Sequence, residues 1–448
     1  MNSMLDVEIF DVKKNAYKIK SVYKESFDST FYLTYNQKII KLFKDSEDKN
    51  LRKRLRAISI HNVPTDSNID MDSDDKKTPT YYYKNIALPE VLLKEPYIGY
   101  VIDCDGFNKN IANINEEGIS FVDKLRLSIN LVESLIEFGK DGFVLNNLNP
   151  AFILFNDNFE IKIIDCDSLT QGAYVSSISE TEYHDPYVLN YLMTPSTLTD
   201  TYSVYIIVFE LLYGYPFGDK GEYLAKKGQV DFIGFDSLTN CIDGLKELFC
   251  KMFVDCKNRY IDRPSLVNLL SELRNLYNSI VCCNHCGNEF CFVDELICPK
   301  CHNHCDNNFV LKLGKKIQTT NRIMPKVGLT QFETITVEEI KKVIISNRIK
   351  KVFASDFDEL NHAEFGALMV IDNKKNSLSI QNVSEKEIKI TNDLSSLKYD
   401  ILEKNTNYII NFDNLILRKP IYIVVEESFT QQGDYGDIQI QKFVKLEG

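Results

Sequence analysis

The pattern of apolar and polar residues divides the chain into a mixed first part and a strand-rich last part. Apolar side chains recur at every second position over residues 31–35, which predicts β-hairpins across residues 1–44. Apolar residues three and four positions apart predict amphipathic helices over residues 46–58 and 120–139. Because both kinds of element occur, the predicted fold class is α+β.

Two apolar runs with a polar turn between them lie near the middle of the chain, at residues 152–155 and 161–164. The turn, Asn-Asp-Asn at residues 156–158, is typical of a hairpin between two buried strands. Asp165 and Asp167 follow at once, so two carboxylates are expected at a strand end, where ligands of metal-bound phosphates commonly lie. The alternative is that the two acids only cap the strand end.

The last part of the chain is predicted to be mostly strand, at residues 368–371, 378–381, 388–390, 408–410 and 421–425. These strands predict a β-sandwich over residues 311–448. Within that region we predict that residues 312–331 form a linker or edge segment and that residues 337–345 form a short helix.

Composition narrows the class of protein. An apolar fraction of 44% is ordinary for a globular protein, and a net charge of −12 argues against a nucleic-acid partner or an anionic membrane. The N-terminus lacks a secretory pattern, and the chain lacks an apolar run near the ~18 residues of a membrane span. We therefore expect a cytoplasmic protein whose twelve cysteines do not form a disulfide scaffold.

Seven cysteines crowd between positions 282 and 305 and indicate a metal site. Among them, two Cys-x2-Cys pairs separated by eleven residues comprise Cys283, Cys286, Cys298 and Cys301. Four thiolates satisfy a tetrahedral Zn²⁺, so residues 278–310 are predicted to be a structural zinc ribbon. The remaining candidates for a ligand position are Cys282, Cys291, His302, His304 and Cys305. The alternative is a set of reduced cysteines without metal.

The middle of the chain, residues 141–168, resembles the catalytic centre of a protein kinase. Leu145-Asn146-Asn147 stands at the His-Arg-Asp of that family, Phe152 at its metal-binding loop Asn, and Asp165-Cys166-Asp167 at its Asp-Phe-Gly. The Asp-x-Asp-Ser ending is similar to a divergent bacterial kinase-like group. The resemblance implies a two-lobed kinase-like domain, with an N-lobe over residues 1–98 and a C-lobe over residues 99–277.

Further matches extend the resemblance over about residues 15–277. Lys41 matches the strand lysine that holds nucleotide phosphates, although a surface lysine on an edge strand is the alternative. Asp103 begins the segment that matches the hinge, where backbone groups would meet adenine. Asp200 matches the residue that braces the catalytic loop. The segments that match the activation segment and later C-lobe motifs are residues 171–184, 183–187, 199–204, 212–217 and 263–265. Arg263 normally pairs with a Glu whose position is held here by Tyr187.

Several departures from the kinase pattern affect the expected chemistry. No glycine precedes Gly99, so the turn at residues 24–30 lacks the small residues that let backbone amides approach phosphate. Asn147 cannot accept a proton as a catalytic carboxylate does, and Phe152 cannot bind metal. Asp165 could still hold Mg²⁺, with Asp167 in place of the lost ligand.

We therefore predict a pseudokinase, a regulatory scaffold in a bacterial signalling or stress-response module that acts on a protein partner. Binding of ATP and Mg²⁺ is left open. One alternative is an active atypical Ser/Thr protein kinase. A second is a non-enzymatic adaptor that binds its partner through the zinc ribbon and residues 311–448. That last region is faintly similar to forkhead-associated domains, although their phosphothreonine-reading Arg and Ser-x-x-His are not found.

Overall fold

A computed structural model of the chain describes residues 4–45, 49–60, 84–89, 91–115, 117–171, 183–189, 194–213, 240–256, 259–292, 296–305, 309–323, 330–345, 350–353, 357, 367–374, 377–394, 398–411, 420–431 and 436–446. The chain divides into two compact units. The first comprises residues 1–236 and 246–270, and the second comprises residues 237–245 and 271–448.

The first unit begins with a six-stranded antiparallel sheet. Its strands are β1 Glu8–Phe10, β2 Ala16–Glu25, β3 Ser29–Thr34, β4 Ile39–Phe43, β5 Val91–Leu92 and β6 Gly99–Ile102, in the order β1-β2-β3-β4-β6-β5. Helix α1, Lys49–Ile60, follows β4 in the chain and confirms the predicted helix over residues 46–58, shifted by two or three residues. The hairpins predicted for residues 1–44 are also confirmed.

The two faces of this sheet pack in different cores because side chains alternate along each strand. On β4, Ile40 packs with Ile9, Ile19 and Val101 on one face. Ile39 and Phe43 point to the other face, where Leu55 of α1 joins them. Lys41 lies between Ile39 and Phe43 in the same alternation, so the sequence directs this lysine into an apolar core.

The second half of the first unit is built on helix α2, Phe121–Lys140, which confirms the helix predicted over residues 120–139. Ser120 caps its N-terminus by accepting a hydrogen bond from the Asp123 amide. One short strand, β7 Lys109–Asn110, precedes this helix in the chain. Four short strands follow it: β8 Phe143–Val144, β9 Ile153–Phe155, β10 Ile161–Ile163 and β11 Thr170–Gln171. The later helices of this unit are α3 Pro186–Leu189 and α4 Thr197–Tyr213, and the residues of α5 Asp243–Cys250 and α6 Leu266–Ser279 are divided between the two units.

Strands β9 and β10 form the hairpin that the sequence predicts at residues 152–164. The Asn156 side chain closes the turn by accepting hydrogen bonds from the amides of Asn158 and Glu160. Phe152, Leu154 and Ile164 pack into the same core as Ile39 and Phe43 of β4. The hairpin therefore carries the acidic residues after β10 to the inner face of the first sheet.

The second unit contains a small hairpin and two larger sheets. The hairpin is β12 Ile280–Cys282 with β13 Glu289–Cys291. The remaining strands are β14 Phe309–Ile323, β15 Thr330–Ile345, β16 Lys350–Phe353, β17 Ala367–Lys374, β18 Ser377–Asn382, β19 Ile388–Thr391, β20 Asp400–Leu402, β21 Asn407–Asn411, β22 Ile421–Gln431 and β23 Gly436–Leu446. They form sheets in the orders β15-β14-β23-β22-β19-β20 and β16-β17-β18-β21, and residues of both sheets share one hydrophobic core.

Two predictions for this unit are wrong. Residues 312–323 are not a linker or edge segment, since they lie in β14, which runs between β15 and β23 in the sheet interior, while residues 324–329 lie outside the described part of the chain. Residues 337–345 are not a helix, since they lie in β15 and pair with β14. The Glu and Lys residues there favour helix intrinsically, but the β-branched residues between them gain more from pairing along a long strand.

A search of the described helices finds none with the length and apolar character to span a bilayer.

Candidate functional sites: a buried lysine–aspartate cluster and a four-cysteine group

Lys41 lies at the centre of a row of side chains that crosses the first sheet. Strand pairing places Phe31 of β3 and Tyr100 of β6 directly beside it, on the same face. The Lys41 ammonium lies 5.2 Å from the Phe31 ring centre and 4.7 Å from that of Phe43. A Cβ atom on Gly99 would lie 2.1 Å from the Lys41 carbonyl oxygen, so only glycine lets β6 approach β4 here.

The two acids after β10 meet at this lysine. Lys41 Nζ donates to Asp165 Oδ1 at 2.5 Å and to Asp167 Oδ1 at 2.7 Å. All three side chains are buried, each with about 5% exposure. Asp165 adopts a left-handed backbone conformation with φ +66°, and the chain then turns through Cys166–Ser168. This local geometry, which Asp tolerates better than most residues, aims both carboxylates at one cation.

The other carboxylate oxygens also have partners inside the protein. Asn147 Nδ2 donates to Asp165 Oδ2 at 2.8 Å. The Tyr100 hydroxyl donates to Asp167 Oδ1 at 2.9 Å, and Arg54 of α1 approaches Asp167 Oδ2 at 3.7 Å. All four carboxylate oxygens are thus in contact with a protein cation or hydrogen-bond donor.

The charges in this cluster shift the pKa values of its members. Burial raises the pKa of Asp165 well above its usual value. Burial acts in the same direction on Asp167, but the Lys41 ammonium and hydrogen bonds from Asp165, Lys41 and Tyr100 lower its pKa to about 2. Burial would lower the pKa of Lys41, yet the two carboxylates raise it above its usual value. Lys41 is therefore held as a cation between the two acids.

The loop before β9 is fixed by Asp200 at the start of α4. Asp200 accepts hydrogen bonds from the backbone amides of Leu145 at 2.7 Å and Asn146 at 3.2 Å. Asn146 has φ +64°, and its carbonyl oxygen lies 2.7 Å from His184 Nε2. Burial of Asp200 raises its pKa to about 7, against the two amide hydrogen bonds, which lower it. These contacts fix the loop that presents Asn147 to Asp165.

Phe152 fills the space beside the cluster. Its ring centre lies 4.9 Å from that of Phe31, and Lys24 Nζ lies 5.1 Å from the Phe152 ring centre. Phe152 is 5% exposed and belongs to the apolar core that includes Phe31 and Ile39. An aromatic side chain thus occupies the place where the kinase resemblance puts a metal ligand.

The turn between β2 and β3 does not present its acids freely. Glu25 lies 3.2 Å from Lys44 Nζ, and Asp28 accepts a hydrogen bond from the Ser29 hydroxyl at 2.9 Å. Phe27 at the tip is fully exposed. These local partners reduce the repulsion that the two acids would exert on a phosphate group.

Asp103 lies in a different setting from Lys41. Its side chain is half exposed and lies 3.5 Å from Lys38 Nζ, while its backbone carbonyl accepts from Lys162 Nζ at 3.3 Å. Of the residues predicted for the nucleotide site, Lys41, Asp165, Asp167 and Asn147 are in contact with one another, whereas Asp103 contacts other residues.

Arg263 has a carboxylate partner that sequence reasoning did not assign. Asp185 forms a buried ion pair with both terminal nitrogens of Arg263, one of them at 3.1 Å. The Arg263 guanidinium also lies 5.5 Å from the Tyr187 ring centre and 4.9 Å from that of Tyr202. The acid thus comes two positions earlier than the family pattern suggests. Residues 172–182 of the proposed activation segment, and residues 214–217, lie outside the described part of the chain.

The second candidate site is the group of Cys283, Cys286, Cys298 and Cys301. Their sulfur atoms all lie within 4.8 Å of one another, and two of the distances are 3.6 Å. Tetrahedral zinc–thiolate geometry, with Zn–S near ~2.3 Å, separates the sulfurs by about 3.8 Å. The four thiols therefore fit one metal ion such as zinc.

Two matching turns bring these thiols together. The Gly287 amide donates to the Cys283 carbonyl at 2.9 Å, and the His302 amide donates to the Cys298 carbonyl at 2.8 Å. Gly287 and His302 have φ +69° and +59°, so the first turn uses glycine where the second accepts a strained histidine.

The backbone also favours a thiolate at Cys283. Although burial acts in the opposite direction, amides of His285 and Cys286 lower the pKa of Cys283 to about 6. Cys305, one of the spare ligand candidates, is fully buried against Cys283 and Cys298 but does not belong to the group of four. Among the described residues, the predicted set of four cysteines is the one that could hold a metal.

Sequence reasoning missed three residues of the lysine–aspartate cluster and its surroundings: Arg54, Tyr100 and Asp185. Tyr100 could have been found from strand pairing, because it lies opposite Lys41. The other two carry no local signal.

Neither protein-family models nor curated proteins give a match to this chain.

Proposed function

We propose that residues 15–277 form a protein kinase-like domain that does not transfer phosphoryl groups and acts as a regulatory scaffold for a protein partner. The order of elements supports the kinase-like part of this proposal. A strand with Lys41 is followed by α1, by β5 and β6, by α2, and then by the loop that Asp200 braces. Asp165 after β10 pairs with Lys41, as the lysine and aspartate of a kinase both serve the nucleotide phosphates.

The proposed loss of phosphoryl transfer rests on the contacts that the carboxylates of Asp165 and Asp167 make within the protein. Their four oxygens contact Lys41, Tyr100, Asn147 and Arg54. A Mg²⁺ ion needs carboxylate oxygens as ligands, and it would have to displace a buried ammonium held by both acids. The cluster therefore carries its own cation in the place of a metal.

Two further features act against phosphoryl transfer. Asn147, at the position of the catalytic base, donates a hydrogen bond to Asp165 and has no group that can accept a proton from a substrate hydroxyl. Loss of general-base assistance typically lowers a rate by ~10²–10⁴-fold. Phe152 packs on Phe31 where a metal-binding Asn would be needed.

For the second unit we propose a structural zinc ribbon followed by a β-sandwich that binds a protein partner. The geometry of the four thiols supports the zinc assignment, and a closed four-cysteine site has no open position for catalysis. The core shared by two sheets supports the sandwich. When bound, the metal would supply a cross-link between the two turns; Cys283 and Cys286 would hold it from one side and Cys298 and Cys301 from the other.

Phosphate transfer from labelled ATP with Mg²⁺ tests the proposal, with a general acceptor protein and the chain itself as substrates. Zinc-loaded wild type is compared with Asp165→Ala and with Asp157→Ala, a matched control whose carboxylate lies in an exposed pair with Lys109. We expect no incorporation above the level of Asp165→Ala. Transfer by wild type and Asp157→Ala that Asp165→Ala lacks would instead establish an active atypical kinase.

A further inference from the structure

We infer that Asp167 is a positioning residue that anchors helix α1 through Arg54 while it holds Lys41, and that it does not serve as a metal ligand. The assignment rests on the proposed function, in which the cleft keeps its arrangement without a nucleotide. It goes further by naming the contact that replaces the nucleotide and the helix that this contact holds.

Asp167 joins three separate elements. Its Oδ1 accepts from Lys41 of β4 at 2.7 Å and from Tyr100 of β6 at 2.9 Å. Its Oδ2 faces the Arg54 guanidinium of α1 at 3.7 Å. Asp167 itself lies in the turn after β10 and is 4% exposed. One buried carboxylate thus connects the sheet and the helix to the hairpin.

Helix α1 cannot provide the carboxylate that usually holds the strand lysine of a kinase. In active kinases a helix Glu pairs with that lysine. The sequence of α1, KNLRKRLRAISI, contains no acidic residue. The charges are exchanged in this protein: the helix carries the cation, Arg54, and the turn after β10 carries the anion, Asp167.

Arg54 is placed to contact Asp167 by the amphipathic pattern of α1. Leu55 is 1% exposed and packs into the core beside Phe43 and Tyr100. Arg54 precedes it at the border of that buried face, with its side chain about one third exposed. Arg52, two positions earlier, donates to the Tyr97 carbonyl at 3.0 Å. Two arginines of α1, Arg52 and Arg54, therefore attach the helix to neighbouring elements.

Asp165 and Asp167 should differ in the structural elements that they hold in place. Asp167 contacts both Lys41 and Arg54, whereas the partners described for Asp165 are Lys41, Asn147 and Asp167, none of which lies on α1. Removing Arg54 leaves Asp167 paired with Lys41, so the cluster survives and the helix alone loses its attachment. This difference makes the role of Asp167 separable from that of Asp165.

Hydrogen exchange of the α1 amides in the zinc-loaded full chain tests the inference. The variants are Arg54→Gln, Asp167→Asn, the double variant and Asp165→Asn, with Lys53→Gln as a control for an exposed cation on the same helix. We expect Arg54→Gln and Asp167→Asn each to speed α1 exchange about five- to tenfold. The double variant should be no faster than the faster single variant, because both remove the same contact. Lys53→Gln and Asp165→Asn should leave α1 exchange near wild type.

Three results would overturn the inference: α1 exchange in Arg54→Gln no faster than in Lys53→Gln, additive effects in the double variant, or Asp165→Asn acting on α1 as strongly as Asp167→Asn. Arg54 is partly exposed and its partner keeps Lys41, so Arg54→Gln decides the matter even where Asp167→Asn fails to fold. Phosphate transfer by wild type would overturn the proposed function without changing these exchange rates, so the two failures are distinguishable.

Discussion

The two candidate sites of this protein handle negative charge in opposite ways. The four-cysteine group gathers sulfur atoms to 3.6 Å, and backbone amides lower the pKa of Cys283 to about 6. The described partners of these sulfurs are other cysteines and backbone amides, with no lysine or arginine side chain among them. The aspartate cluster instead surrounds its acids with Lys41 and Arg54. The first site is built to receive a cation from solution, and the second already contains one.

This difference shows how a metal site can be told from an acidic cluster of similar composition. Both sites place several acidic or thiol groups close together, and in each of them at least two of these groups are buried. What separates them is whether the protein itself neutralises the ligands, since a buried anion without a cation is strongly unfavourable. The first two predictions below change the cation at one site or the other, and the next two change residues near the aspartate cluster.

The largest effect is expected from removing the metal of the four-cysteine group. Structural zinc sites contribute apparent binding free energies of ~10–16 kcal/mol, and the small core around Val281 and Phe290 cannot replace this. Chelation, or Cys298→Ser, should expose the amides of residues 280–305 to hydrogen exchange. Cys241→Ser, outside the group, should leave their protection unchanged. Full protection after chelation would show that the turns need no metal.

A second large effect is expected from Lys41→Met, which removes the internal cation. Loss of one partner of a buried ion pair typically costs about 3–5 kcal/mol, and urea unfolding should show a decrease of this size. Mg²⁺ should then stabilise the variant but not wild type, because the freed carboxylates can accept it. Lys38→Met, which removes a cation paired with half-exposed Asp103, serves as the control. Equal stabilisation of wild type by Mg²⁺ would contradict the comparison.

Replacement of Phe152 should have a smaller effect, confined to packing. Phe152→Asn introduces the residue type that the kinase resemblance would place at this position, but it removes a buried ring that packs on Phe31. We expect a loss of about 3 kcal/mol in the free energy of unfolding. Phe27→Asn, at a fully exposed position, should change it by less than about 0.5 kcal/mol. A stability near wild type for Phe152→Asn would mean that the ring contributes little to the packing of the core around Phe31.

The last expected effect is a pH dependence from Asp200, a buried acid whose carboxylate accepts amide hydrogen bonds and, unlike that of Asp167, has no described contact with Lys41. Its pKa is about 7 in the folded protein against 3.8 for an ordinary Asp, because burial disfavours its charge. The folded state thus binds more protons between these values, and stability falls as pH rises from about 4 towards 7. Denaturant midpoints should show this fall in wild type and less of it in Asp200→Asn. A rise with pH that Asp200→Asn lacks would show the opposite sign of shift.

The features that sequence predicted correctly are those with a local signal. The Cys-x2-Cys spacing, the turn at Asn156 and the capped helix α2 are each set by residues within a few positions of one another. The hairpins of the first sheet are similar, since the alternation over residues 31–35 is also a local signal.

The features that were missed depend on contacts between distant segments. Arg54 and Asp167 are separated by more than a hundred residues, and nothing near Arg54 marks it as a partner. The pairing of Arg263 with Asp185 depends on how the chain between them folds. Strand β15 was misjudged because Glu338, Glu339 and Lys342 favour helix, while the pairing with β14 that decides the outcome is not visible locally.

Thermal stability of the zinc-loaded protein with and without millimolar Mg²⁺-ATP tests the central claim most directly, beside the double variant Lys41→Ala, Asp165→Ala. The internal cation predicts that Mg²⁺-ATP leaves the melting temperature of wild type unchanged. A rise in wild type that the double variant lacks would show that the cleft admits a metal-bound nucleotide, and it would contradict a cluster that carries its own cation.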